Sequence, residues 1–200
     1  KEKLKLKSQL LKEKNNLIKD KQKKQEIGIV INRDILENQV KYSYISIGSN
    51  LGNRKGNIEK AKFLINQNHI KIIKISSIYE SLAWPNNNDP KFFNLVIKVS
   101  TFLNPTELLR SLKFIEKKMG RKKAPKNSPR ICDIDIIDYN GKKFKNSYLE
   151  IPHPRMKKRD FVLLPLMEIC SNWTYPRSKM KISSILNNIS EKNLTSIKIL

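Results

Sequence analysis

Two cysteines in 200 residues are too few for a disulfide scaffold, and the spacing of Cys132 and Cys170 would not gather a metal. Both are expected to be reduced core thiols of a cytoplasmic protein. No apolar run approaches the roughly 18 residues of a membrane span, and no signal peptide is visible, so neither a membrane-spanning segment nor secretion is expected. Acidic residues are scarce too, 18 against 41 Lys and Arg, and the net charge of +23 calls for an anionic partner: a nucleic acid, an anionic membrane surface or a phosphorylated small molecule. Most of the base is lysine, spread evenly among Asn and Ile, so whole-chain charge does not by itself select nucleic acid. An initiator Met is missing, which suggests a chain excised from something longer. At 38% hydrophobic, the remainder suffices for one well-cored domain plus an appendage.

Arginine is also rare, which makes its placement informative. Of eight, Arg121, Arg130, Arg155 and Arg159 fall within 39 residues, where an even spread would leave about one or two. Where Lys serves for ordinary surface charge, a retained Arg suggests the planar fork that grips phosphate or carboxylate through two bonds. Within the same window, Ile131 to Tyr139 alternates as a strand. Asp133 and Asp135 project from one face, and Cys132, Ile134 and Ile136 from the other. Two carboxylates on one face repel unless a cation lies between them, and hard oxygen ligands favour Mg²⁺, which takes one or two carboxylates plus substrate phosphates. Standing alone, the pair reads equally as an exposed acidic strand face.

Lys1 to Glu26 is nearly all Lys, Glu, Gln, Asn and Leu, and a domain junction is placed near residues 34 to 41, giving an appendage over 1–40 and a domain over 41–200. The domain begins with a strand over Tyr42 to Ile47, a turn over Gly48 to Gly52, and a helix over Lys55 to Asn66 with Ile58, Ala61, Leu64 and Ile65 on one side. Ile70 to Tyr79 reads as a second strand, Ala83 to Pro90 as an exposed loop and Phe92 to Phe102 as a third strand. Asn104 caps a helix that opens on Pro105, carries Leu108, Leu109, Leu112, Ile115 and Met119 on its apolar face, and closes at Gly120. Asn140-Gly141 predicts a hairpin that returns the acidic strand toward Tyr148 to Ile151, and a last helix is expected over Arg159 to Cys170, bent at Pro165. The order β-α-β-β-α-β predicts an α+β fold: a ferredoxin-like antiparallel sheet with two helices on one face, plus a C-terminal hairpin and helix. RNA-recognition modules share this order, but Phe92 to Val99 lacks their glycine-and-aromatic signature, and carboxylates facing a phosphate backbone without a metal would oppose binding.

Lys113 and Glu116 lie three apart on one helical face, which directs Glu116 toward the cationic loop of Arg121, Lys122, Lys123, Lys126 and Arg130. Pro152-His153-Pro154-Arg155 adds a His in a Pro-stiffened connection, suited to donate to a phosphate or leaving-group oxygen. His69 reads as a plain surface residue.

Ile47-Gly48-Ser49-Asn50-Leu51-Gly52-Asn53-Arg54, Ser76-Ser77-Ile78-Tyr79-Glu80-Ser81, Phe92-Phe93-Asn94, Ile115-Glu116 through Gly120-Arg121, Pro129-Arg130 through Asp135, and Ile151-Pro152-His153-Pro154 through Val162 together resemble the 6-hydroxymethyl-7,8-dihydropterin pyrophosphokinases, in order and spacing, over about two thirds of the chain. The resemblance implies transfer of diphosphate from ATP to a pterin alcohol in folate synthesis. By position, it makes Asp133 and Asp135 ligands of two Mg²⁺ ions and Arg121 and Arg130 the catalytic arginines on the transferring diphosphate. His153, Arg159, Lys123, Glu116 and Ile136 would bind ATP. Asn94 would read the pterin edge, Phe92 and Phe161 would stack on its ring, and Ser81, Leu82 and Trp84 would border it. The partners it implies are these small molecules, with no nucleic acid and no membrane.

Lys24 to Arg33 is similar to the closing strand of dihydroneopterin aldolases, which would make residues 1–40 the end of a fused folate-pathway domain, or else a Lys-rich linker that ends in a strand. The pyrophosphokinase pattern is broken in two places. A usual Gln is Lys113 here, and a usual Trp-Gly before Pro129 is Asn127-Ser128, while further arginines of the loop are Lys123 and Lys126. Lys keeps the charge and loses the fork, and the missing ring removes a lid over the pterin. A degenerate scaffold that keeps the fold without activity is the bland alternative. Asn127→Trp is therefore expected to raise pterin affinity or turnover by about a few-fold, measured by pterin titration and steady-state kinetics, and no gain in either counts against a lid at this position.

Overall fold

Alternating apolar residues open the folded region of this computed structural model, which describes Lys19, Gln22 and residues 39–83, 88–122, 124–125, 127–189 and 197–200. The chain divides into two units, Lys1–Gln39 and Val40–Leu200. The resemblance at residues 24–33 lies outside the described residues, as do Trp84, Lys123 and Lys126.

Strand β1 (Lys41–Ser49) buries Ile45 and Ile47 on one face, helix α1 (Arg54–Gln67) covers them with Ile58, Leu64 and Ile65, and β2 (Lys71–Ile75) follows. The chain continues through β3 (Tyr79–Ser81), β4 (Phe92–Thr101), α2 (Pro105–Lys118) and β5 (Asp133–Tyr139). The sheet runs β5-β1-β4-β3, with β2 also paired to β4 and every pairing antiparallel. Helix α2 begins as its sequence dictates. The Asn104 side chain accepts from the backbone N–H groups of Thr106 and Glu107, each at 3.0 Å, and the Glu107 carboxylate accepts from Asn104 N at 2.8 Å, a reciprocal cap worth about 1 kcal/mol.

Several expectations are corrected. Gly48 and Ser49 belong to β1, whose pairing with β4 runs to Ser49↔Phe93, rather than to a turn. The strand expected over Ile70 to Tyr79 breaks at Ser76–Ile78 into β2 and β3, because Ser76 and Ser77 form other bonds there. The Asn140-Gly141 turn forms, with φ of 53° and 63°, but it does not return a strand along β5. Past one bridge, Tyr139↔Lys142, the chain leaves, and β6 (Phe144–Lys145) and β7 (Glu150–Ile151) pair only with each other.

A second core occupies the opposite face of the sheet. Helix α3 (Asp160–Ile169) and the short α4 (Ile182–Leu186) enclose Val96, Ile137, Leu163, Leu166, Trp173 and Ile185. The expectation placed two helices on one face; α1 and α2 lie there, while α3 and α4 cover the other. The sheet surface that an RNA-recognition module leaves open is thereby packed with side chains. Alternation along β5 sends Ile134 and Ile136 to the first core and Ile137 to the second, and a bulge follows: Tyr44 pairs with Asp138 but the next residue, Ile45, pairs with Ile136, so one extra residue shifts the register there. The bulge also brings Asp138 beneath Trp173, whose indole N–H donates to the carboxylate at 3.0 Å, while Gly141 N donates at 2.9 Å. Finally β8 (Lys198–Ile199) pairs with β3.

Removing the acceptor in Asp138→Ala strands two donors, and is expected to lower the unfolding free energy by about 1–3 kcal/mol in urea titrations followed by tryptophan fluorescence. Burial pushes the Asp138 carboxyl up, with Gly141 N–H and Trp173 opposing. The native state then holds this proton more tightly than the unfolded chain. Its contribution to stability is complete below the ordinary carboxylate pKa and is lost as pH rises through the folded value, so this part of the pH profile should vanish in the variant.

Candidate active site

Strand alternation places Asp133 and Asp135 on the face of β5 away from the first core, each 26% exposed at the side chain, and half-buried carboxylates this close demand positive charge. Each takes its own set. On Asp133, Arg121 approaches to 2.7 Å and Arg130 to 3.3 Å; on Asp135, Arg159 lies at 3.4 Å, His153 at 3.8 Å and Lys113 at 4.0 Å. Burial works against ionisation of Asp135, yet Lys113, His153 and Arg159 together hold its carboxyl below the usual range.

Glu116 organises the arginine side. Nearly enclosed at 3% exposure, it accepts from Ile134 N at 2.7 Å, from Lys113 at 2.9 Å and from Arg121 at 2.6 Å. Arg121 is thus clamped between two carboxylates, Glu116 and Asp133. Burial would lower its pKa, but Asp133 and Glu116 raise it, so the guanidinium stays charged. The expected nucleotide-side Glu116 is instead a buried support beneath the acidic strand. Ile136 is likewise in the first core, 3% exposed, with its side chain away from the carboxylates.

Asn50, at the end of the β1 segment, holds the other arginine. Its side chain accepts from Arg130 N at 2.7 Å and donates to Pro90 O at 3.1 Å, so one buried amide ties the arginine to the 88–91 loop. Arg130 has a buried Nε without a partner among the described residues, and its guanidinium stands 5.7 Å from the Phe92 ring. His153 is anchored where its backbone N–H meets Ile137 O at 3.1 Å, beside the bulge. Its Nδ1 accepts from Arg155 N at 3.2 Å, and burial pushes its pKa down, with Asp135 opposing. A neutral imidazole bonded this way carries its proton on Nε2, the atom that faces Asp135.

Asp133, Asp135, Lys113, Arg121, Arg130 and Arg159 floor a cavity of about 700 Å³, and His153 meets Asp135 without joining that lining. The other walls of the cavity hold Ser81, Leu82, Phe92, Asn94 and Phe161, so all the described residues expected around the pterin converge there. Asn94 donates to Ser81 Oγ at 2.9 Å, a buried bond that fixes which edge of the amide faces inward. Gly48 was missed as a contributor: a Cβ there would press on Asn94 Oδ1 at 2.9 Å, so the glycine makes room for the amide. Asp160 and Lys158 also line the cavity and carried no signal beyond their place in the motif around Arg159. Asn127 reaches the cavity with φ of 68°, a left-handed backbone that Asn tolerates and Trp rarely adopts, so Asn127→Trp requires this part of the loop to rearrange.

A charged polyphosphate fits the floor and a flat polar ring fits the wall. Residues 44–171 match the family model described as 7,8-dihydro-6-hydroxymethylpterin-pyrophosphokinase. The chain is 43% identical over 133 residues to the 2-amino-4-hydroxy-6-hydroxymethyldihydropteridine pyrophosphokinase of Aquifex aeolicus, covering 66% of this chain and 82% of that protein. It is 40% identical over 154 residues to the folic acid synthesis protein fol1 of Pneumocystis carinii, covering 77% of this chain but 21% of that longer protein. Among solved structures, a Plasmodium falciparum HPPK-DHPS crystallised with pteroate superposes with a TM-score of 0.63 at 17% identity, covering 82% of this chain and 47% of that one. The chain therefore spans about a fifth of the length of the fungal relative and under half of the parasite structure.

Glu116→Ala is expected to destabilise the domain by roughly 2 kcal/mol, since it strands Ile134 N–H while Lys113 and Arg121 are partly exposed and can rehydrate. Urea titration measures this, and Glu116→Gln, which keeps an acceptor for Ile134 N–H, should recover part of the loss.

Proposed function

The chain belongs to the 7,8-dihydro-6-hydroxymethylpterin-pyrophosphokinase family, and from that premise we propose that it transfers diphosphate from ATP to 6-hydroxymethyl-7,8-dihydropterin, releasing AMP, in tetrahydrofolate biosynthesis. The observation that carries this reading is the convergence of Arg121, Arg130, Arg159, His153 and Lys113 on two neighbouring strand carboxylates that line one cavity with Phe92, Phe161 and Asn94.

In the reaction, the pterin hydroxyl oxygen bonds to the β-phosphorus of ATP as the bond from that phosphorus to the α-β bridging oxygen breaks, and AMP leaves with that oxygen. Such a transfer asks for alignment and charge stabilisation more than covalent help. Arg121, fixed between Glu116 and Asp133, presents a preorganised fork toward the transferring diphosphate. Arg130, which lines the cavity and meets Asp133 through one terminal nitrogen, has guanidinium donors left for phosphate oxygens. His153 offers Nε2–H and Arg159 its guanidinium to the triphosphate. Phe92 and Phe161 sandwich the pterin, and Asn94, oriented by Ser81, pairs with its polar edge.

The donor set fits Mg²⁺. Among the described residues no three His, Cys, Asp or Glu side chains gather as a metal cluster, but two strand carboxylates with phosphate oxygens and water suffice for this ion. Asp133 and Asp135 would hold two ions, which when bound neutralise phosphate charge and orient the triphosphate. The Asp-bound cations Arg121, Arg130, Arg159 and Lys113 are then available to substrate oxygens.

Val40–Leu200 is read as the pyrophosphokinase domain, and residues 1–39 as the end of a fused folate-pathway partner. Cys132 and Cys170 are unpaired with each other, which suits the reducing cytoplasm. Among the described residues no helix is long and apolar enough to cross a membrane.

AMP release from ATP in the presence of hydroxymethyldihydropterin and Mg²⁺ tests the proposal. Asp133→Asn and Arg130→Ala are each expected to lower kcat/KM by about 100-fold or more. Unchanged activity in both variants would remove the site, and wild-type protein that releases no AMP would leave a scaffold without turnover.

A further inference from the structure

Glu168, on α3, makes four short contacts far from the ion pairs. Its Oε1 accepts from Ser77 N at 2.9 Å and from Ser77 Oγ at 3.0 Å; its Oε2 accepts from Tyr79 OH at 2.9 Å and from Ser77 N at 3.1 Å. All the donors are neutral, so the carboxylate acts as a hydrogen-bond hub and not as half of a salt bridge. Ser77 lies in the break between β2 and β3, where Ser76 stays on β4 through its N–H to Val96 O and its Oγ from Val96 N, each at 3.0 Å. Ser77 N is thereby turned away from the ladder, and Glu168 is what receives it. Tyr79 is buried at 5% exposure, and burial, with the Glu168 bond adding to it, pushes its hydroxyl up to about 12, so it remains a donor throughout the working pH range.

What this contact joins gives it a function. Beyond Tyr79, β3 runs directly to Ser81, which accepts the Asn94 amide, and to Leu82 on one wall of the cavity. On α3, Phe161 lies seven residues before Glu168, two turns away on the same helical face, and lines the same cavity. A single side chain therefore ties together two elements that both line the ring pocket. The ion-pair floor rests mainly on β5, α2 and the 120–130 loop, with Arg159 at the start of α3 and His153 just before it as the shared members.

We infer that Glu168 is a positioning residue for pterin recognition: it sets the separation between Phe161 on α3 and the Ser81–Asn94 pair on β3 and β4. This rests on the proposed placement of the pterin against those residues. Glu168 is itself exposed and lies outside both cores, so substitution leaves the fold in place. Loss of the hub lets α3 and β3 drift apart, which weakens ring binding while leaving the Arg121–Glu116–Asp133 side of the floor in place.

The test compares wild type, Glu168→Ala, Glu168→Gln and Tyr79→Phe in the full chain. In Glu168→Ala, KM for the pterin should rise about three- to tenfold, the effect of losing one net hydrogen-bonded tie, while KM for ATP, to which α3 contributes only Arg159, should rise by clearly less. Glu168→Gln, which keeps one acceptor for Ser77 N, and Tyr79→Phe, which loses one donor, should fall between. Amide exchange over residues 79–83 and 159–163 should quicken in Glu168→Ala, whether or not the protein turns over. A wild type that turns over, with variants whose two KM values stay level or rise by the same factor, overturns the inference and leaves the proposed activity standing. A wild type without turnover removes the proposed activity, and unchanged exchange in both segments then overturns the positioning role independently.

Discussion

Two carboxylates two residues apart on one strand, half-withdrawn from water, set the terms for everything around them. Each ionised group in that setting costs more than it would in solvent unless cations stand within a few ångströms. The chain meets that demand from four separate segments: α2 supplies Lys113, the loop after it supplies Arg121 and Arg130, the β7–α3 connection supplies His153, and the start of α3 supplies Arg159. Because these segments must all reach β5 at once, the carboxylate pair acts as the junction of the fold as well as the floor of its cavity. The same electrostatics suits exchange: an anionic substrate offers the cations what the carboxylates now offer them.

Support for this junction is laid out from the outside inward. Glu116 is held by Ile134 N–H and in turn holds Arg121, while Asn50 holds the backbone of Arg130. The bulge at Ile137 then turns Asp138 toward the second core, where α3 packs with Arg159 and Phe161 at its leading end. Most of the floor charge is borne by α2, β5 and the 120–130 loop, and the start of α3 is where floor and ring-binding surface meet.

Much of this was legible locally. Asn104, Pro105 and Gly120 bracket α2 because cap and terminator chemistry acts within a turn, and Asp133 and Asp135 share a face because strand alternation is a property of consecutive residues. Other features were hidden for a common reason. The run from Ile70 to Tyr79 keeps a strand-like pattern throughout, and nothing within it announces a break, because the group that captures Ser77 N is 91 residues away. Asp138 reads as one more acidic strand residue until Trp173, 35 residues on, donates to it. Glu116 was directed correctly toward the cationic loop by its spacing from Lys113, but its burial under Ile134 depends on how α2 docks against β5.

What the sequence by itself determined is the order of elements, the shared face of the two aspartates, the clustering of arginine near them and the family whose motifs they carry. Those depend on backbone periodicity and on residue identity, which neighbours along the chain already define. Tertiary structure alone decided which cation meets which carboxylate, that the sheet is packed on both faces, and that Glu168 ties α3 to Ser77 and Tyr79. Partners so distant in the chain are selected by the docking of helices onto the sheet, and local pattern carries no information about which of many similar lysines, arginines and carboxylates that docking brings within reach.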